Sequence, residues 1–146
     1  MKQIRYSMQG FMDTAVRRSD EARHLVGADR RARRCDGAVT CALLAAECAL
    51  KATLLFGYAV QYEDQVPAQV RKQAFQGSTG HDLSLLYQLQ PPSVRMKPPP
   101  VEAIIRLAQR HRYAHRYGQQ SPPQKEAENV TNDADKVVQW MKGVIG

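Results

Sequence analysis

Three arginines, two histidines and two tyrosines lie within eight consecutive positions, Arg110-His111-Arg112-Tyr113-Ala114-His115-Arg116-Tyr117. These side chains suit a phosphodiester. Arginine holds phosphate oxygens through a planar fork of donors and stays charged at any working pH. Histidine takes up and returns a proton near neutrality. The same residues also suit an ordinary solvated helix end, because cations near a helix C-terminus are favoured by its dipole. Spacing alone leaves both readings open.

Geometry sets a condition on the chemistry. On an ideal helix Arg110 and His115 point about 140° apart, since each residue turns the helix by about 100°. Arg110, Ala114 and Tyr117 share a face. Two copies packed about a two-fold axis, or a helix that loosens before Gly118, would bring arginine and histidine to one site.

The rest of the chain must supply the scaffold. Its 146 residues, 43% of them hydrophobic, fit a single domain over 1–146 with a real core. The net charge of +7 and the sequence pI of 9.6 favour anionic partners, nucleic acid first and an acidic protein second. Basic residues gather in two places: Arg17, Arg18, Arg23, Arg30, Arg31, Arg33 and Arg34, then Arg106, Arg110, Arg112 and Arg116. The segment from Lys125 to Asp135 is acidic instead, with Glu126, Glu128, Asp133 and Asp135.

Cys35, Cys41 and Cys48 are odd in number and form no CxxC pattern. Cys41 and Cys48 stand a heptad apart in an apolar helix, so they read as small core residues with reduced thiols. That fits a cytoplasmic address. The opening residues lack the apolar run of a signal peptide. The apolar stretch around Ala38 to Val60 is interrupted by Glu47 and Lys51, which predicts a buried helix rather than a membrane span.

Helical patterns dominate. Phe11, Ala15, Ala22, Leu25 and Val26 give a stripe of helical period across 8–26. Asp36-Gly37 is expected to open a long central helix, apolar nearly all round. Within it Glu47 and Lys51 sit four apart in the favourable order for a local ion pair. A short helix from Val66 to Phe75 carries Pro67 near its start. Gly77-Ser78-Thr79-Gly80 reads as a turn, and a helix with Asp82 as N-cap runs on to Leu89.

Pro91-Pro92 and Pro98-Pro99-Pro100 bracket a stiff connector. Val101 to Tyr117 is predicted helical, with Val101, Ile104, Ile105, Leu107 and Ala108 buried and Gly118 as the stop. The last helix spans 126–145, with Val130, Ala134, Val137, Val138, Met141 and Ile145 on one side. No segment alternates with period two, so the expectation is an all-α antiparallel bundle of about five helices.

Three pieces now line up in order: Arg23-His24 on the first helix, Ala46-Glu47-Cys48-Ala49-Leu50-Lys51-Ala52 on the second, and the Gly80-His81-Asp82-Leu83 turn. Together they resemble the HEPN family of small helical domains, over roughly residues 8–118. Many HEPN proteins carry an Arg-x(4–6)-His motif, often written RNxxxHxY in the HepT-like toxins. Arg110, His115 and Tyr117 match its Arg, His and Tyr, while His111 stands where Asn is usual. A second frame, Arg106 to His111 with Tyr113 behind it, also satisfies the spacing. The first frame is preferred because a polar residue follows its arginine, whereas Leu107 follows Arg106.

The resemblance implies a metal-independent endoribonuclease with no cofactor, acting as a homodimer whose two motifs face a shared cleft. Arg110, His115 and His111 would be catalytic, and Arg106, Arg112 and Arg116 would bind RNA. Tyr117 matches a position that a partner nucleotidyltransferase can modify with AMP in HepT-like toxins, which makes such an antitoxin an implied partner. A toxin-like or phage-defence role follows from the same likeness. The family also holds non-catalytic nucleotide- and protein-binding modules, which form the alternative.

Other clusters carry less. His111 and His115 are spaced four apart as on a zinc helix, but no HExxH glutamate lies between them and no cysteine is close. His24 reads as a packed or surface residue, and His81 as a turn residue near a helix start. Arg30 to Arg34 reads as a solvated loop that can also touch RNA phosphates.

Overall fold

A computed structural model describes the backbone of residues 6–28, 32–116 and 123–146, and their side chains except those of residues 28, 32–34, 78 and 111–116. Among the described residues there are six α-helices: α1 (Met8–Ala28), α2 (Ala32–Gly57), α3 (Ala68–Ala74), α4 (Leu83–Gln88), α5 (Val101–Arg116) and α6 (Gln124–Ile145). None of them is in a strand, and the fold is all-α. Counting the two short helices α3 and α4 separately gives six elements where about five were expected.

α2 is the axis of the fold. Ala42, Ala45, Ala46, Ala49 and Ala52 are all buried along it, and such small side chains let neighbouring helices approach closely. α1 and α6 pack on it, and α4 and α5 close the remaining side. Glu21 meets Cys41, and Lys51 lies beside Phe11, so α1 and α2 run antiparallel. α5 and α6 are antiparallel too, since Arg110 meets Glu126 while Arg106 meets Asp133. At the far end of α6 the Trp140 indole N–H donates to the Lys97 carbonyl at 3.1 Å, tying the proline-bounded connector to the bundle.

α2 begins at Ala32, four residues before the predicted opening at Asp36-Gly37. Tertiary packing overrides the start signal there: Cys35 is buried and its thiol lies 3.3 Å from Gln124 Oε1 of α6. Asp82 is the N-cap of α4 as expected, accepting from the Leu85 N–H at 3.2 Å. On α5 the buried arc is Ala103, Ile104, Leu107 and Ala108, whereas Val101 and Ile105 are exposed. The face centres on Ile104 and Leu107, so one edge turns in a small alanine and the other turns out two branched residues.

Among the described residues one helix, Cys35–Gly57, is long and apolar enough to cross a membrane, but 78% of its apolar window is buried inside the fold. That burial is the behaviour of a core helix.

Candidate functional site

Two places where charged side chains meet bear on the sequence motifs. The first is the seam between α5 and α6. Arg106 is gripped by Asp133 through both sides of its guanidinium, Nε to Oδ2 at 2.9 Å and a terminal nitrogen to Oδ1 at 2.8 Å. This fork is bidentate, and Asp133 is only 10% exposed. One turn on, Arg110 makes a single ion pair with Glu126 at 2.9 Å, and that carboxylate is 39% exposed. Its Nε is buried without a hydrogen-bond partner. The acidic segment of the sequence thus lies against basic residues of the helices: Glu126 and Asp133 hold α5, and Asp135 meets Arg23 of α1 at 2.5 Å.

The remaining motif residues can be placed only in part. α5 stays helical through Arg116, so His111, Arg112, His115 and Arg116 are on helical backbone, but their side chains lie outside the described residues. Tyr117 lies outside them altogether, as do Arg30 and Arg31, and the side chains of Arg33 and Arg34 are likewise not described. A helix unbroken to Arg116 removes the expected loosening as a way to turn His115 towards Arg110.

The second place is a cavity of about 440 Å³ between the start of α1, the middle of α2 and the turn before α4. Glu47 and Lys51 form the expected pair, Nζ to Oε2 at 3.1 Å, yet their side chains are only 9% and 10% exposed. His81, which is 61% exposed, donates from Nδ1 to the other Glu47 oxygen at 2.8 Å. The Lys51 ammonium lies 5.9 Å from the ring centres of both Phe11 and Phe75. Gly80 permits the turn to sit this close, because a Cβ there would fall 3.0 Å from the Ala74 carbonyl oxygen.

A short backbone bridge completes the wall. The Met8 N–H donates to the Gln61 carbonyl at 2.8 Å, and the Glu63 N–H to that of Tyr6 at 3.1 Å. This places Tyr6, Ser7 and Glu63 on the rim. Burial, the larger influence, raises the Glu63 carboxyl above its usual range despite the opposing charge of Lys51.

The sequence gives Glu47–Lys51 as a local ion pair, which forms, and His81 as a turn residue, but it does not mark Phe11, Phe75 and Glu63 as cavity wall. A usable signal was present. Glu47 and Lys51 are the only charged residues from Gly37 to Tyr62, so a helix buried nearly all round had to bury them. His81 and Glu63 carried none, because only the fold brings them to α2. Among the described residues no three His, Cys, Asp or Glu side chains gather as metal ligands.

Of the two predicted core cysteines, Cys48 is buried and Cys41 is half-buried, its thiol 3.6 Å from Glu21 Oε2. Burial, with Glu47 adding to it, pushes the Cys48 thiol up to about 11. Native Cys48 should therefore resist iodoacetamide at pH 8 and react on denaturation, as intact mass would show. The sign for stability follows. Below the ordinary thiol range, near pH 9, both folded and unfolded chains keep the proton. Between pH 9 and 11 the unfolded chain ionises first, so stability falls there, and Cys48→Ala should flatten that loss.

Comparison with family models, curated proteins and solved structures yields no match for this chain. Fold and sites together define an all-α domain with a charged pair buried in its central helix and a basic end on its fifth.

Proposed function

We propose that this chain is a metal-independent endoribonuclease of the HEPN type, toxin-like or defence-associated, working in the cytoplasm as a homodimer. One contrast carries the reading. Among the described residues Asp133 occupies both edges of the Arg106 fork, whereas Arg110 meets one carboxylate, that of Glu126, which is partly exposed. Arg110 therefore keeps donors for a phosphate, which favours Arg110/His115 over Arg106/His111 as the working frame.

In this mechanism the 2′-hydroxyl attacks the adjacent phosphorus. One His115 takes the hydroxyl proton or delivers a proton to the departing 5′-oxygen, and His111 shares that work. Arg110 stabilises charge on the non-bridging oxygens. Arg112 and Arg116 add phosphate contacts. The P–O5′ bond breaks as the P–O2′ bond forms, leaving a 2′,3′-cyclic phosphate and a 5′-hydroxyl. A nucleotidyltransferase that modifies Tyr117 would silence the site.

The test is cleavage of labelled single-stranded RNA in EDTA. Wild type should cut RNA and spare matched DNA, which lacks the nucleophile. His115→Ala and Arg110→Ala should each lose about 10²- to 10⁴-fold in rate. Equal cutting by the variants, or none by wild type, would reject the reading. The alternative, a non-catalytic HEPN module that docks a nucleotide or a protein, is favoured by one observation: both described arginines of the motif region are already paired with α6 carboxylates. It predicts RNA or partner binding with no cleavage.

A further inference from the structure

The cavity on α2 has features that the α5 chemistry does not use. Cys35, beside the start of α6, and Glu47 are separated by about 18 Å along α2, at about 1.5 Å per residue. The cavity and the basic end of α5 are therefore separate places.

Its polar groups have an unusual balance. Lys51 carries three N–H donors, of which Glu47 takes one. The Lys51 side chain is nine-tenths buried, and no further hydrogen-bond acceptor reaches its ammonium among the described residues. Its charge, however, is already balanced by Glu47. An anionic ligand group would meet a neutralised cation with two carboxylates nearby, which disfavours phosphate and carboxylate ligands. A neutral carbonyl oxygen is the acceptor that fits the spare donors.

Glu63 is the complementary pole. It lines the same cavity without a direct ion pair to Lys51; its carboxylate already accepts from the Tyr6 backbone and has acceptor capacity left for a further N–H donor. Burial is the largest influence on its carboxyl and raises it, against the lowering by Lys51 and the Tyr6 backbone, so a further donor arriving there would act in the same direction as these two. Aromatic rings line the same cavity. Tyr6 and Phe11 stack with centres 5.9 Å apart, and Phe11 and Phe75 meet at 5.8 Å. Tyr6 is exposed at the mouth. A volume of about 440 Å³ falls in the range of small-molecule sites.

We infer that this cavity binds a flat, neutral lactam heterocycle of the guanine type, its carbonyl oxygen on the Lys51 ammonium, its ring N–H edge on the Glu63 carboxylate and its face on the Tyr6–Phe11 wall. A zwitterion such as a free amino acid matches the two poles less well, because its carboxylate would crowd Glu47. Adenosine lacks both the carbonyl and the ring N–H. The site is independent of RNA cleavage at α5 and stands whether or not that reaction occurs.

The experiment is calorimetric titration of the purified full chain with guanosine, adenosine and phenylalanine. Guanosine should bind, with adenosine at least about tenfold weaker, because a site built for a hydrogen-bonding edge rejects the analogue without it. Glu63→Gln should weaken guanosine at least about tenfold while leaving RNA cleavage unchanged. Absence of guanosine binding up to millimolar concentration, equal binding of adenosine, preference for phenylalanine, or an unaffected Glu63→Gln variant would each overturn the inference. The comparison of guanosine with adenosine uses wild type alone, so it decides the matter even if the variant folds poorly.

Discussion

Co-expressing Arg110→Ala with His115→Ala is expected to restore about a quarter of wild-type RNA cleavage, although either variant alone is inactive. The reason is geometric. α5 is helical through Arg116, and on an ideal helix positions five apart, as 110 and 115 are, face about 140° apart. One copy cannot easily aim both at one phosphate, but two copies about a two-fold axis can each lend one residue. In a mixed dimer one composite site then carries both substitutions and the other carries neither. Random pairing makes about half the dimers mixed, each with one working site of two. RNA cleavage in EDTA by the unfractionated mixture measures this directly, and the mixed species isolated by two tags should reach about half of the wild-type rate. An inactive mixed dimer would place arginine and histidine of one copy in one site, and the shared-cleft arrangement would have to be abandoned.

Removing one member of the buried pair on α2 should be the most damaging single change to stability. Glu47→Ala leaves the Lys51 side chain nine-tenths buried with no carboxylate in direct contact with it. Breaking such a pair costs roughly 3–5 kcal/mol, since the surviving charge keeps its desolvation penalty. For a chain of this size that corresponds to a fall in Tm on the order of 10 °C. The double variant Glu47→Leu/Lys51→Met should recover most of the loss, because no charge is then left buried. His81→Ala should cost far less, since its ring is mainly in solvent and its partner keeps Lys51. Urea unfolding of the three proteins separates these cases. A Glu47→Ala protein within about 1 kcal/mol of wild type would mean that water reaches Lys51 in solution.

Helix type and order were readable because each long helix has a strong apolar pattern, and α2 and α6 have few competing signals. The Asp82 cap and the stops around the prolines were equally local. Helix limits were less secure: α2 starts at Ala32 because Cys35 finds a buried place beside Gln124 of α6, a contact with no trace in the local sequence. The buried arc of α5 was misplaced by one edge for a related reason. Hydrophobicity marks which residues can be buried, but the position of α6 decides which of them are.

The charges show the same division. By itself the sequence determined that α5 ends in arginines, histidines and tyrosines at HEPN-like spacing, and that two ionisable residues interrupt an otherwise apolar core helix. Only the tertiary structure decided that Asp133 engages Arg106 on both edges while Glu126 holds Arg110 by one contact. It also decided that His81 and Glu63 come to the Glu47–Lys51 pair. Residue type and spacing are written along the chain and set local helix and chemical capacity. The partner each charge finds depends on which helices pack together, and that is set by burial of the whole apolar surface at once.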